Sequence, residues 1–225
     1  MSGAEPLGGE PTPGEPDDGL PPYPGLALTS VRIVRTPQDA AAALAALSQA
    51  DVIGFDTESK PTFMKGEVST GPHLVQLATD EHAYLFQIGA KAGLATEAPH
   101  LLEVLKPVLE SEAILKVGFG LGDDLKRLRA KLGIEARNVL DLATALRRRG
   151  ERNTLGAKTA VARFFGQHLQ KSRRITTTNW AMPRLSDKQV LYAADDAHVA
   201  LRLYRHWRAH PPVEDKTPLP PRKAS

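Results

Sequence analysis

The sequence predicts an α/β fold built on a mixed central sheet with helices packed against it. Three observations carry this expectation. Strand-like runs come early, and two of them are separated by only a short turn; helix and strand patterns then alternate; and a long amphipathic helix closes the order of elements. At 225 residues the chain is long enough for one substantial core.

The elements follow in chain order. "VRIV" at 31–34 alternates like a strand, and "TPQDAAAALAALSQA" after it reads as a helix, with Thr36 as N-cap and Pro37 at the first helical position. "VIGFDTE" at 52–58 begins as a buried strand. "HLVQLAT" (73–79) and "AYLFQI" (83–88), joined by "DEH", form a hairpin that makes an antiparallel start to the sheet. Residues 98–110 have helical spacing, and "AILKVGF" at 113–119 is a further buried strand. "DDLKRLRAKLG" places Leu125, Leu128 and Leu132 on one helical stripe and stops at Gly133. A short strand "NVLD" leads into a helix over "LATALRRRG", and a second helix over "TLGAKTAVARFFG" ends at Gly166. A polar, basic stretch over 167–184 precedes the last helix, "SDKQVLYAADDAHVALRLYRHW", which opens on a capping box of Ser186 and Gln189.

Pro, Gly and acids dominate the first 27 residues, and residues 210–225 are again proline-rich, so both ends read as disordered tails around a folded region of 28–209. The chain carries a formal +3, yet its first 25 residues hold five acids and no Lys or Arg, leaving +8 on residues 26–225. A basic body suits a polyanionic partner. The absence of cysteine excludes disulfides, thiol catalysis and thiolate-bound zinc, and a cytoplasmic location is the expectation. No apolar segment approaches membrane-spanning length, and no signal-peptide pattern opens the chain.

Against this background the acids inside apolar elements stand out. A strand alternates faces, so Asp56 and Glu58 share one side of "VIGFDTE" while Thr57 turns to the other. Two carboxylates aimed at one spot repel and desolvate each other unless a cation or donor offsets them. In the last helix Tyr192 and Asp196 lie four apart on a face that continues through Val199, Ala200 and Leu203; Asp195, three from Tyr192, also lies near it, and periodicity does not choose between the two acids. In "VGFGLGDDL" Asp123 suits an N-cap, and Asp124 lies one turn before Leu128 on the buried side. The glycines there do not make a dinucleotide site, because Asp123 stands where the third glycine would be needed. His198 lacks the spaced partners of a metal pair and reads as a partly exposed histidine.

Taken together, "GFDTES", "VGFGLGDDLKRL" and "LYAADDA" resemble the three motifs of the DEDD family of 3'-5' exonucleases, in the order and on the elements that family uses, over about residues 30–207. "HLVQLAT" and "NWAMPRLSDKQVLYAADDA" also resemble family segments, the second in its Werner-type version. Tyr192 matches the tyrosine subgroup; the other subgroup has a His five residues before the last Asp, where Leu191 stands here. Two departures bear on substrate type: Ser59 replaces an aromatic residue found in several Werner-like relatives, and no helical accessory domain follows as in full-length RNase D.

The resemblance implies an RNase H-like fold and a 3'-5' exonuclease that hydrolyses phosphodiester bonds at DNA or RNA ends, with DNA slightly ahead. The rivals are an RNase D-like RNA-processing enzyme and a non-catalytic nucleic-acid-binding domain of the same fold. It also implies two divalent ions, Mg²⁺ or Mn²⁺, held by Asp56, Glu58, Asp124 and Asp196, with Tyr192 orienting the attacking water. Hard oxygen donors without Cys or His suit those ions. For the substrate, family analogy gives the Thr57 backbone to the terminal nucleotide and Phe63 to its base, with a plain strand position and core or loop packing as the alternatives. Lys171, Arg173 and Arg174 are candidate phosphate contacts, and Trp180 is balanced between base stacking and packing. Gln76, unexpected in an apolar strand, is either a support for the site or a buried amide satisfied by backbone.

Overall fold

The computed structural model of the chain describes residues 19–62, 67, 69–89, 98–148 and 150–211. Phe63, residues 1–18 and 212–225, and the side chain of Arg173 lie outside the described residues. Six strands form one sheet: β1 (Val31–Val34), β2 (Val52–Glu58), β3 (Leu74–Ala78), β4 (Ala83–Gln87), β5 (Leu115–Gly118) and β6 (Val139–Asp141). Their spatial order is β1-β4-β3-β2-β5-β6. The β2-β3-β4 meander is antiparallel, and β1 joins β4, β5 joins β2 and β6 joins β5 in parallel.

The helices are α1 (Pro37–Ser48), α2 (Pro99–Glu110), α3 (Gly122–Leu132), α4 (Leu142–Ala145), α5 (Ala157–Phe165), α6 (Arg173–Thr176) and α7 (Asp187–Ala209). Both expected N-caps are present as capping boxes, Thr36 with Asp39 and Ser186 with Gln189. Gly133 and Gly166 end α3 and α5 in the left-handed conformation. None of the described helices is long and apolar enough to cross a membrane.

The period of two in β2 divides the molecule. Ile53 and Phe55 join α1, α2 and Leu128 of α3 in one apolar layer. On the opposite face Leu74, Ala78, Ala83 and Leu85 pack against Val190, Ala193, Ala194 and Ala197 of α7. The approach of α7 to β2 is very close, because a Cβ on Gly54 would lie 1.9 Å from the Ala197 carbonyl oxygen. Only glycine lets the two backbones meet there. Gly54→Ala should therefore force α7 off the sheet and lower stability by roughly 3 kcal/mol, measured by denaturant unfolding; an unchanged midpoint would contradict this seating.

Several local expectations change. The helix over "LATALRRRG" shortens to the single turn of α4, with Asp141 as its N-cap accepting from the Ala143 N–H at 2.9 Å. Asp123 caps nothing: α3 starts at Gly122 without a side-chain cap, and Asp123 is paired with Lys126 at 2.9 Å in solvent. The turn before α3 is held instead by Asp141, whose carboxylate accepts from the N–H groups of Gly120 and Leu121. His198 is buried, its Nε2 3.3 Å from the Asp80 carbonyl, because α7 presses that face against the β3-β4 turn. The folded region also begins before residue 28. Pro21 and Tyr23 exchange backbone hydrogen bonds with His168, Tyr23 stacks on Phe165 at 5.9 Å, and the Leu26 N–H donates to Asp195 at 2.7 Å. Apolar and aromatic residues among the prolines give this segment something to bury.

Candidate active site

Asp56 and Glu58 end β2 on the face covered by α7, and Asp196 comes down onto them from α7, where it is buried. Asp124 arrives from the other side of the sheet, on the first turn of α3, also buried. The four acids therefore meet around one end of β2, two from the sheet and one from each flanking layer. The alternative acid of the last helix, Asp195, faces the N-terminal segment through Leu26, and burial first, with the Asp196 charge beside it, raises its carboxyl to about 6.

Each carboxylate has identifiable partners. Asp56 Oδ1 accepts from the Thr57 N–H at 2.8 Å. The Thr57 hydroxyl, on the opposite face of the strand, donates to Asp124 Oδ1 at 2.5 Å, and Arg127 one turn further along α3 donates to the same oxygen at 2.9 Å. Asp196 Oδ1 lies 2.7 Å from Lys171 Nζ and also takes a hydrogen bond from the Tyr192 side chain. The Tyr192 hydroxyl is 2.9 Å from Thr176 Oγ1.

The electrostatics are those of an acid cluster short of positive charge. Burial, then the neighbouring charges of Asp196 and Asp124, holds Asp56 well above the usual carboxylate range. Burial and the charge of Asp56 push Glu58 to about 9, and burial raises Asp196 despite Lys171. Tyr192 is raised by burial and by Asp196, so its phenol stays protonated at neutral pH and acts as a hydrogen-bonding group rather than as a base. Burial works against the charge on Lys171, but Asp196, Tyr192 and Asp56 outweigh it and the ammonium is held firmly protonated.

This donor set fits hard divalent cations: it is all oxygen, crowded, buried and already drawing in an ammonium as counter-charge. Among the described residues, however, no three acidic or histidine side chains are grouped as the ligands of a single ion. Thr57 and Arg127 hold Asp124 on one side, and Lys171 holds Asp196 on the other.

The expected substrate residues separate. Lys171 reaches into the acid cluster itself. Arg174 is exposed on α6. Trp180 is 1% exposed, its ring 6.0 Å from that of Tyr192 and its indole N–H donating to the Thr176 carbonyl, so it packs behind the tyrosine and offers no face to a base. Gln76 stands directly across from Asp56 in the β2-β3 register and is wholly buried, and among the described residues neither amide atom has a hydrogen-bond partner, so the described backbone does not satisfy it. Three contributors escaped the sequence reading. Arg127 was detectable, since i, i+3 from a buried acid is the spacing of a helical ion pair. Thr176 and the Thr57 hydroxyl were not, because their contacts span 16 and 67 residues.

A family model described as 3'-5' exonuclease matches residues 31–209. The chain is 28% identical over 160 residues to the bifunctional 3'-5' exonuclease/ATP-dependent helicase WRN of Mus musculus, covering 71% of this chain and 11% of that protein. It is 27% identical over 154 residues to a 3'-5' exonuclease of Arabidopsis thaliana, covering 68% of this chain and 51% of the other. It thus spans about half or less of the length of these relatives. Among solved structures, the EXO domain of Aedes aegypti Nibbler superposes with a TM-score of 0.67 at 26% identity, over 80% of this chain and 88% of that one. Trypanosoma brucei RNase D in complex with RNA, at 22% identity and a TM-score of 0.69 over 82% of this chain and 64% of that one, shares the fold.

Proposed function

The chain belongs to the 3'-5' exonuclease family, and from that premise we propose that it removes nucleoside monophosphates hydrolytically from the 3' ends of nucleic acid, DNA somewhat before RNA. The observation that carries the reading is the convergence of Asp56, Glu58, Asp124 and Asp196 from a strand and two helices around the end of β2, with Tyr192 bonded to the last of them. Asp56, Glu58 and Asp196 would hold one divalent ion, and Asp56 with Asp124 a second. When bound, Mg²⁺ or Mn²⁺ supplies charge relief on the transferring phosphate and activation of water.

The protein's own groups do the rest. Tyr192, kept protonated and anchored by Thr176, donates its hydrogen bond to Asp196 and orients the attacking water through its hydroxyl oxygen, which accepts from the water. Thr57 fixes Asp124 through its hydroxyl and Asp56 through its N–H, and lies at the strand end where family analogy places the terminal nucleotide. Lys171 and Arg174 precede the catalytic helix as phosphate contacts, and the basic body steers the polyanion.

The test is a single-stranded and a 3'-recessed oligonucleotide, 5'-labelled, in DNA and RNA of one sequence. Shortening from the 3' end is expected with Mg²⁺ or Mn²⁺ and none in excess EDTA. Undiminished shortening in EDTA, or release of internal fragments first, would overturn the reading; the DNA-to-RNA rate ratio fixes the substrate class.

A further inference from the structure

One contact in the site is difficult to reconcile with a purely phosphate-binding role for the basic segment. Lys171 Nζ lies 2.7 Å from Asp196 Oδ1, the lysine side chain is 28% exposed and the aspartate 5%, and the ammonium is 5.7 Å from the centre of the Tyr192 ring. A cation therefore already occupies an oxygen that a divalent ion would need. An oxygen bonded to an ammonium cannot take an ion at normal ligand distance without placing two cations side by side. The two partners differ in anchorage. Asp196 is fixed on the 23-residue α7, whereas Lys171 sits between α5 and α6 in a stretch without regular structure beyond an isolated bridge at His168. The lysine is the partner free to move.

We infer that Lys171 exchanges partners in each reaction cycle: its ammonium neutralises Asp196 until a divalent ion claims that carboxylate, and the released ammonium then meets the scissile phosphate. The inference rests on the two-metal reading above and adds an order of events to it. The exchange keeps the buried carboxylate paired with a cation throughout, and the lysine becomes available to the phosphate only once the metal is in place.

The exchange requires effects of opposite sign from one substitution. Lys171→Met removes a competitor for the metal and a ligand for the phosphate, so by calorimetric titration Mn²⁺ alone should bind about tenfold tighter, and dAMP at saturating Mn²⁺ about tenfold weaker, than in the parent chain. Lys171→Arg keeps the cation and should hold Mn²⁺ affinity near the parent value. The rise in melting temperature on adding Mn²⁺ should be larger for Lys171→Met than for the parent, which gives a second readout on a less stable variant. Unchanged Mn²⁺ affinity with weakened dAMP would make Lys171 a phosphate contact only, and weakening of both would make it structural; either overturns the exchange. If the parent chain binds Mn²⁺ and shortens oligonucleotides while Lys171→Met binds no more tightly, the exchange alone fails. If neither protein binds Mn²⁺, the two-metal reading fails and the exchange with it.

Discussion

Asp56→Asn should leave the fold intact and slow 3'-end cleavage by roughly 1,000-fold or more, equivalent to about 4 kcal/mol of lost transition-state stabilisation. The size follows from position. Asp56 is enclosed among the acids: burial, then the charges of Asp196 and Asp124, raise it well above the usual range, and Glu58 on the same strand face feels those two charges after that of Asp56 itself. On the proposed two-ion reading Asp56 would be shared between the ions, so its loss would weaken both, whereas Glu58 or Asp124 would hold one. The amide of Asn retains the shape and can accept the Thr57 N–H that Asp56 Oδ1 accepts at 2.8 Å, so the strand end should not rearrange. It also relieves like-charge crowding, and the variant without divalent ions should melt no lower than the parent. Single-turnover cleavage and thermal unfolding, measured on one preparation, check the pair of outcomes. Activity within tenfold of the parent would mean that Asp56 does not bridge the reaction centre, and a large drop in melting temperature would mean that its role is structural.

Much of this architecture was legible because it is written in local periodicities. Alternation in "VIGFDTE" put Asp56 and Glu58 on one face, and the structure has them on the face under α7. The i, i+4 spacing joined Tyr192 to Asp196, and capping chemistry placed the starts of α1 and α7 correctly. What the sequence could not carry were choices made by distant parts of the chain. Asp195 and Asp196 are equivalent by helical spacing; the difference is that the N-terminal segment, 169 residues away, takes Asp195 through the Leu26 N–H. Prolines and glycines give that segment the composition of a tail and mask the few apolar residues by which it docks. Trp180 reads equally as a platform for bases or as core, and only the burial of its ring beside Tyr192 decides for the core. Gly54 looked like one strand residue among others, and its necessity lies in a helix backbone more than 140 positions later.

Glu58→Gln should produce a protein that is inactive but, without divalent ions, more stable than the parent above about pH 6. Burial first and the Asp56 charge second raise the Glu58 carboxyl from 4.5 to about 9. A folded-state value above the unfolded one means that the native protein holds a proton which the unfolded chain releases. The stabilisation associated with that proton is therefore fully present below pH 4.5 and is lost progressively as the pH rises toward 9. At pH 7 the accumulated loss is on the order of 3 kcal/mol. An amide resembles the protonated carboxyl at every pH and removes this slope. In EDTA the two proteins should thus unfold alike near pH 4.5 and diverge as the pH rises, with Glu58→Gln higher by several degrees at pH 8. Mn²⁺ should reverse the order, because a divalent ion favours the ionised carboxylate and so stabilises the parent most where its proton is most readily lost. Thermal unfolding across pH, with and without Mn²⁺, measures both halves. A variant less stable than the parent at pH 8 in EDTA, or a gap that persists at pH 4.5, would mean that Glu58 is not held protonated by its neighbours. The reversal with Mn²⁺ would tie the same carboxyl to the proposed chemistry: an acid that costs stability when unpaired would then be kept as the ligand that chemistry needs.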